Sequence, residues 1–270
     1  MSDIARLSSC LAELLPEIGS SEFSARLIAM IGSLAHVDEA TIIFYRNAGP
    51  PSIDFAMPSS WRLPNLEIFT KGAFLLDPYY LAASRDRKSG FFRLRDLAPG
   101  GFRQSEYYRI YYAGSGLQDE CGYLIALEDN SFVNIALGLT KERAFSKDSL
   151  AVFSDMAPLV ETLCHIHWNS NFGAAKADGD SRVILESVLN SFGSAILTRR
   201  ECEVVQMLLL GHTAKKVAEQ LGISYETVKL HRKHAYAKLG INNQAGLFYA
   251  FIDSLLNADP QGDIDAPVEA

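Results

Sequence analysis

The chain has 270 residues, 48% of them hydrophobic and 21% charged, with a net charge of −7. That length allows one large domain or two ordinary ones, and that composition excludes a disordered chain. No apolar stretch reaches the roughly 20 residues that a bilayer span needs, and the start from Met1 to Arg6 lacks a signal-peptide layout, so a soluble cytoplasmic protein without a membrane partner is expected.

In chain order, the apolar periodicity predicts helices over Ile4–Ile18 and Phe23–Ala35, then strands over Glu39–Arg46 and Ser52–Pro58. A helix is expected around Leu66–Leu76, followed by Asp77-Pro78-Tyr79-Tyr80 in more helix or loop, and another helix over Arg103–Ala113. Two strands, Cys121–Glu128 and Phe132–Thr140, meet at Asp129-Asn130, a plausible hairpin turn. A long amphipathic helix, Lys147–Trp168, closes this part. Helices flanking a mainly antiparallel sheet suggest an α+β sensor domain of GAF/PAS-like type over residues 1–168.

Residues 169–195 read as a linker, small, polar and Gly-containing, with a short helix from Ser181 to Ser191 that carries Val183, Ile184 and Val188 on one face. Residues 258–270 read as a disordered acidic tail. Between them, residues 196–257 behave differently. Thr198–Ala250 holds eight Lys/Arg against four acids, a net +4 that leaves −11 for the rest. A basic module attached to an acidic body points to a nucleic-acid partner.

The local signals in that module agree. Thr198 and Glu201 form a capping box, opening a helix whose Val204, Val205, Leu208 and Leu209 make an apolar stripe ended by Gly211. Thr213 caps a second helix over Ala214–Leu221, Gly222 supplies the turn, and Ser224 caps a third helix running to Leu239. This is a helix-turn-helix. On the third helix Val228, Ala235 and Leu239 face inward, while Glu226, Lys229, Leu230 and Lys233 face away, where the two lysines can reach base edges or phosphates in a major groove.

These residues also resemble the LuxR/FixJ-type DNA-binding domain over about sixty positions: Leu197 to Val204, Gly211 to Ala218, Leu221 to Ser224, Thr227-Val228-Lys229, His231, and Lys238 to Asn242 stand in its register. The resemblance implies a four-helix helix-turn-helix domain that binds double-stranded promoter DNA as a homodimer, with its fourth helix around Gln244–Leu256 at the dimer contact, and RNA polymerase as a partner. It implies base reading by Lys229 and Lys233 and phosphate contacts near Thr213, Tyr225 and Lys238. Thr227 and Arg232 complete the DNA-facing set. Ala214 and Ala235 depart from the family pattern, which often has asparagine and a larger aliphatic residue there.

The first 168 residues are then expected to carry regulation. Aromatic residues concentrate there: Trp61, Phe69, Phe74, Tyr79, Tyr80, Tyr107, Tyr108, Tyr111 and Tyr112. Around one carboxylate, Asp77, such rings would suit a small amphiphile or cation. Trp61, Phe74, Asp77, Tyr79, Tyr80, Tyr107 and Tyr108 are the candidate ligand-binding residues. Trp61 and Asp77-Pro78 also resemble the autoinducer-binding domain of acyl-homoserine-lactone receptors. However, Asn65 stands where that family has tyrosine, and the Trp-to-Asp spacing is longer, so another small effector fits equally.

Other classes find no support. The acidic pair Asp38-Glu39 precedes the first strand, unlike a phospho-receiver. Cys10, Cys121, Cys164 and Cys202 lie far apart, and His165 and His167, two apart on a helix, do not share a face, so neither a metal nor a cofactor is expected. No phosphate loop or nucleophile elbow occurs, which argues against an enzyme. Two functions remain: a ligand-responsive transcription factor, or a constitutive DNA-binding protein whose first domain is a dimerisation or docking module.

Overall fold

The computed structural model describes residues 3–46, 50–57, 69–70, 72–113, 116–128, 130–141, 144–171 and 189–256. The fold is α+β: a helix-flanked antiparallel sheet followed by a helical C-terminal region.

Helices α1 (Asp3–Leu14) and α2 (Phe23–Leu34) come first. Strands β1 (Glu39–Tyr45) and β2 (Ser52–Ala56) follow, then α3 (Pro78–Ser84), β3 (Gly90–Arg93) and the single turn α4 (Leu94–Leu97). After α5 (Glu106–Tyr111), strands β4 (Asp119–Ala126) and β5 (Phe132–Leu139) lead into the long α6 (Lys147–Asn171). The C-terminal region holds α7 (Arg199–Leu209), α8 (Ala214–Leu221), α9 (Tyr225–Lys238) and α10 (Gln244–Leu256).

The five strands pair antiparallel in the order β2-β1-β5-β4-β3. The β4–β5 hairpin is there, with Asn130 in the left-handed region at φ 63°. Strands β1 and β5 are buried along their whole length, because helices or loops cover both faces of the sheet centre. The period of two sorts their side chains. Ile42, Phe44, Tyr123, Ile125, Val133, Ile135 and Leu137 face α2 and α6, packing with Leu27, Phe153 and Trp168. Ile43, Tyr45, Leu124 and Phe132 face the opposite way, onto the aromatic cluster.

Several elements differ from expectation. The first helix stops at Leu14 and continues as a 3₁₀ turn, Leu15–Glu17, because Pro16 cannot extend the α-helical hydrogen-bond ladder. Only part of the expected 66–76 helix lies in the described residues, and there Ala73–Leu76 is a 3₁₀ helix. The helix expected from Arg103 starts only at Glu106, where Ser105 caps it through the Tyr108 amide at 3.1 Å, and Phe102–Gln104 is a separate 3₁₀ turn. Strand β3 and α4 were not foreseen; Gly90-Phe91-Phe92-Arg93 is too short to show a period and exists through pairing with β4. Most of the expected linker, the Ser181–Ser191 helix except its end, Asp129, and residues 258–270 lie outside the described residues. All four cysteines are free.

Candidate functional site

In the C-terminal region, each helix start is tied by a polar side chain of its own cap. Thr198 Oγ1 accepts from the Glu201 amide at 3.4 Å, and Glu201 Oε2 accepts from the Thr198 amide at 2.8 Å. Thr213 caps α8 through the Lys216 amide at 3.2 Å, and Ser224 caps α9 through the Thr227 amide at 3.0 Å. Gly222, at φ 65°, makes the left-handed turn between α8 and α9 that a β-carbon would strain. Val204, Val205, Val217, Val228 and Ala235 are buried together, so α9 presents its opposite side outward. Ala235, where the resemblance leads one to expect a larger aliphatic residue, is fully buried.

That outer side carries Tyr225, Glu226, Lys229, Leu230 and Lys233, all exposed. All of these but Tyr225 border an open groove that continues over Tyr236, Ala237 and the 241–244 loop. Lys229 Nζ pairs with Glu226 at 3.1 Å and lies 5.5 Å from the centre of the Tyr225 ring. An exposed pair of this kind is worth little, so exchanging Glu226 for a base edge or phosphate costs little. Lys233, Arg232 and Lys215 make no ion pair among the described residues, whereas Lys216 is held by Glu219 and Arg199 and Arg200 by Glu203. Leu230, 51% exposed, adds an apolar contact of the kind a thymine methyl takes.

Two of the expected DNA contacts have a second engagement. Lys238 Nζ sits 2.7 Å from Glu201 Oε2, bolting the end of α9 to the capping box of α7. With the Thr198 amide it holds the buried Glu201 carboxyl down at about 2. The Thr227 hydroxyl lies 2.8 Å from that of Ser224, inside the α9 cap. Thr213, Tyr225, Lys229 and Lys233 remain exposed, and Arg232 is half-buried.

The rings of the N-terminal region are brought together, but onto one another. Asp77 caps α3, its Oδ1 accepting from the Tyr79 and Tyr80 amides at 2.9 and 3.2 Å. Its Oδ2 accepts the Tyr107 hydroxyl at 2.8 Å and the Tyr112 hydroxyl at 3.3 Å. Burial and the Asp77 charge together push the Tyr107 phenol well up, so it stays a donor. Phe74 meets the Tyr80 ring edge-on at 4.8 Å, and Tyr107 lies 4.7 Å from Tyr111. Phe74, Tyr79, Tyr80 and Tyr107 are buried, Tyr108 is half-buried on the outer side, and Trp61 lies outside the described residues. The hydroxyl of Tyr111 is buried without a hydrogen-bond partner among the described residues.

His167, weighed in the sequence only as a metal ligand, serves packing instead. It stacks on Phe23 with ring centres 3.9 Å apart and accepts from the Gly19 amide at 3.0 Å, joining α6 to the α1–α2 connection. Its partners lie 144 and 148 positions away, so no local pattern marks it. Asp38, met in the sequence as half of an acidic pair, instead accepts from the Thr140 and Lys141 amides at 2.9 and 3.2 Å and anchors the end of β5.

The chain is similar to known proteins in both regions. Residues 195–250 match the family model of bacterial regulatory proteins, luxR family. The HTH-type transcriptional regulator in the exeN 3′ region of Aeromonas salmonicida is 34% identical over 198 residues, which is 71% of this chain and 100% of that one. The chain belongs to the luxR family of bacterial regulatory proteins. It is thus a DNA-binding transcriptional regulator with a helix-turn-helix, and not an enzyme. The transcriptional regulatory protein MctR of Rhizobium johnstonii is 41% identical over 61 residues, 23% of this chain and 28% of that one. The LBD domain of VqsR from Pseudomonas aeruginosa superposes with a TM-score of 0.53 at 25% identity, over 60% of this chain and 96% of that domain. Among the described residues no helix of this luxR-family chain is long and apolar enough to cross a membrane.

Proposed function

We propose that this luxR-family regulator reads promoter DNA as a homodimer through the outer face of α9, and that a small effector bound by residues 1–168 changes that binding. Residues 196–257 form the DNA-binding domain in this reading, 169–195 the linker, and RNA polymerase is the partner at the promoter. The observation that carries it is the exposed Tyr225–Lys233 face, where Lys233 and Arg232 have no acidic partner among the described residues and Lys229 has one that is easily exchanged. Lys229 and Lys233 read bases, while Thr213, Tyr225, Thr227, Arg232 and Lys238 contact phosphates. The likeness of the N-terminal region to the VqsR LBD domain supports the effector half.

Selection of bound fragments from random DNA, followed by fluorescence anisotropy across a salt series, tests the DNA half. A defined, two-fold symmetric site whose affinity falls steeply with salt is expected. Binding without sequence preference contradicts it. Native mass spectrometry of protein purified from its own host, then denatured, tests the effector half by releasing any bound small molecule.

A second reading has its own observation. Asp77 is engaged by four donors of the chain itself and the rings pack on each other, as they would in a domain that only dimerises or docks a protein. A clean apo dimer that gains no mass in host extract favours that reading.

A further inference from the structure

We infer that a small-molecule site lies on the outer side of the ring cluster, in a cleft between α4, the 99–105 loop, α5 and the start of β4, and that it takes a small aromatic carboxylate. The inference rests on the ligand-responsive reading above and supplies the effector's place and class. The cleft encloses about 230 Å³. Drug-sized ligands occupy roughly 300–1,000 Å³, so the occupant is smaller than these.

Its chemistry has two parts. The wall is aromatic: the Tyr108 and Tyr112 rings are parallel within 3°, 5.6 Å apart, and Phe102 meets them edge-on at 5.5 and 5.4 Å. With Leu117 beside them, these rings suit a flat apolar body. The rim carries Arg103, whose exposed guanidinium makes no ion pair among the described residues. Its neighbours do: Arg93 pairs with Asp119 at 3.2 Å, Arg95 with Asp96 at 3.8 Å, and Arg109 with Glu106 at 2.5 Å. Of the two acids in the lining, Asp119 is held by Arg93 and by the Phe145 amide at 3.1 Å, and Glu120 is buried and engaged within the fold. A carboxylate above the rings therefore meets a guanidinium that it can bind with two hydrogen bonds.

The position of the cleft connects it to DNA. Pro99 and Phe102, which help line it, also face Gly211, in the turn after α7, where an added β-carbon would stand 3.5 and 3.3 Å from them. Between them Gly101 lies so close to the DNA-binding region that a β-carbon there would overlap the Gly211 carbonyl oxygen and stand 2.8 Å from the Thr213 amide nitrogen. Gly101 has φ −100°, open to any residue, and the three atoms nearest a β-carbon there all belong to Gly211 and Thr213. The α5 helix also packs against α10, where Tyr249 faces Arg109. An occupant pressing on Phe102 shifts a loop seated directly before α8, and so favours one placement of the DNA-binding region over another.

The test uses the full chain, with benzoate, 4-hydroxybenzoate, phenylacetate and indole-3-acetate as probes, benzamide as the neutral control and phenethylamine as the cationic one. Calorimetry is expected to show at least one carboxylate bound once per chain with Kd below about 1 mM. Arg103→Gln weakens it at least tenfold while leaving DNA affinity without the carboxylate unchanged. Saturating carboxylate shifts wild-type DNA affinity at least about fivefold; in Gly101→Val the carboxylate still binds and the shift is lost. The site is overturned if none of the four carboxylates binds, if a control binds as tightly, or if Arg103→Gln binds unchanged. Binding with no shift in DNA affinity overturns the effector role. Absence of specific DNA binding in every condition refutes the regulator reading instead, and calorimetry still decides the site.

Discussion

The DNA-binding region and the N-terminal region satisfy their polar groups over very different distances along the chain. In the former, Thr198–Glu201, Thr213–Lys216 and Ser224–Thr227 each close within three residues. In the latter, Asp77 gathers hydroxyls from 30 and 35 residues away, and Gly19 donates to a histidine 148 positions on. The first region is built from helix ends that need little beyond themselves. The second is an antiparallel sheet with helices on its faces, whose polar partners meet only after the sheet has formed. Lys238–Glu201, 37 residues apart, is a long-range exception in the helical region, as is the Gln244 side chain that donates to the Leu208 carbonyl oxygen 36 residues back.

The comparison is broken most severely at Asp77. Asp77→Ala removes the α3 cap and leaves the buried Tyr107 and Tyr112 hydroxyls without this acceptor, a loss of about 3–5 kcal/mol. Urea denaturation followed by tyrosine fluorescence should show that loss in the N-terminal region, and a midpoint equal to wild type would mean the network is ornamental.

Next in size is Lys233→Ala, on the exposed face. It should lower affinity for the selected site about ten- to a hundredfold and relax preference at one base pair, without moving the thermal midpoint. A uniform loss over all sequences would assign Lys233 to phosphate instead.

Lys238→Met probes the Lys238–Glu201 pair. It strips the buried Glu201 carboxylate of its cation, costing about 1–2 kcal/mol. Because Glu201 is held near 2 in the folded chain, below its ordinary value of 4.5, its contribution is present above pH 4.5 and fades as pH falls toward 2. The substitution should raise the pH at which acid unfolding begins, as followed by circular dichroism. An unchanged salt dependence of DNA binding in this variant would mark Lys238 as a structural cation, and a shallower one as a phosphate contact as well.

The smallest effect is expected at Thr198→Ala, about 1 kcal/mol, since only one end of α7 loses its cap. A drop as large as that of Asp77→Ala would deny the distinction between the two regions.

The same distances explain what was legible. The α7, α8 and α9 starts at Thr198, Thr213 and Ser224 were all readable, because a cap and its amide lie within one turn. The long strands β1, β4 and β5 were readable from their apolar runs. Strand β3 was not, since four residues carry no period and only the β4 partner makes them a strand. The aromatic group was legible as a set, but its use was not: residue types do not say whether rings surround a ligand or one another. Gly101 gave no signal at all, because what it approaches lies 110 residues further along.

By itself, then, the amino-acid sequence determined the helix-turn-helix and its caps, and with them the family, because helix propensity, capping and the 3.6-residue repeat act over a few positions. Only the tertiary structure decided that Asp77 serves four donors, that Lys238 holds Glu201, and that the 99–105 loop touches the turn before α8. Those contacts depend on where the sheet and its flanking helices bring distant segments, which no local spacing records.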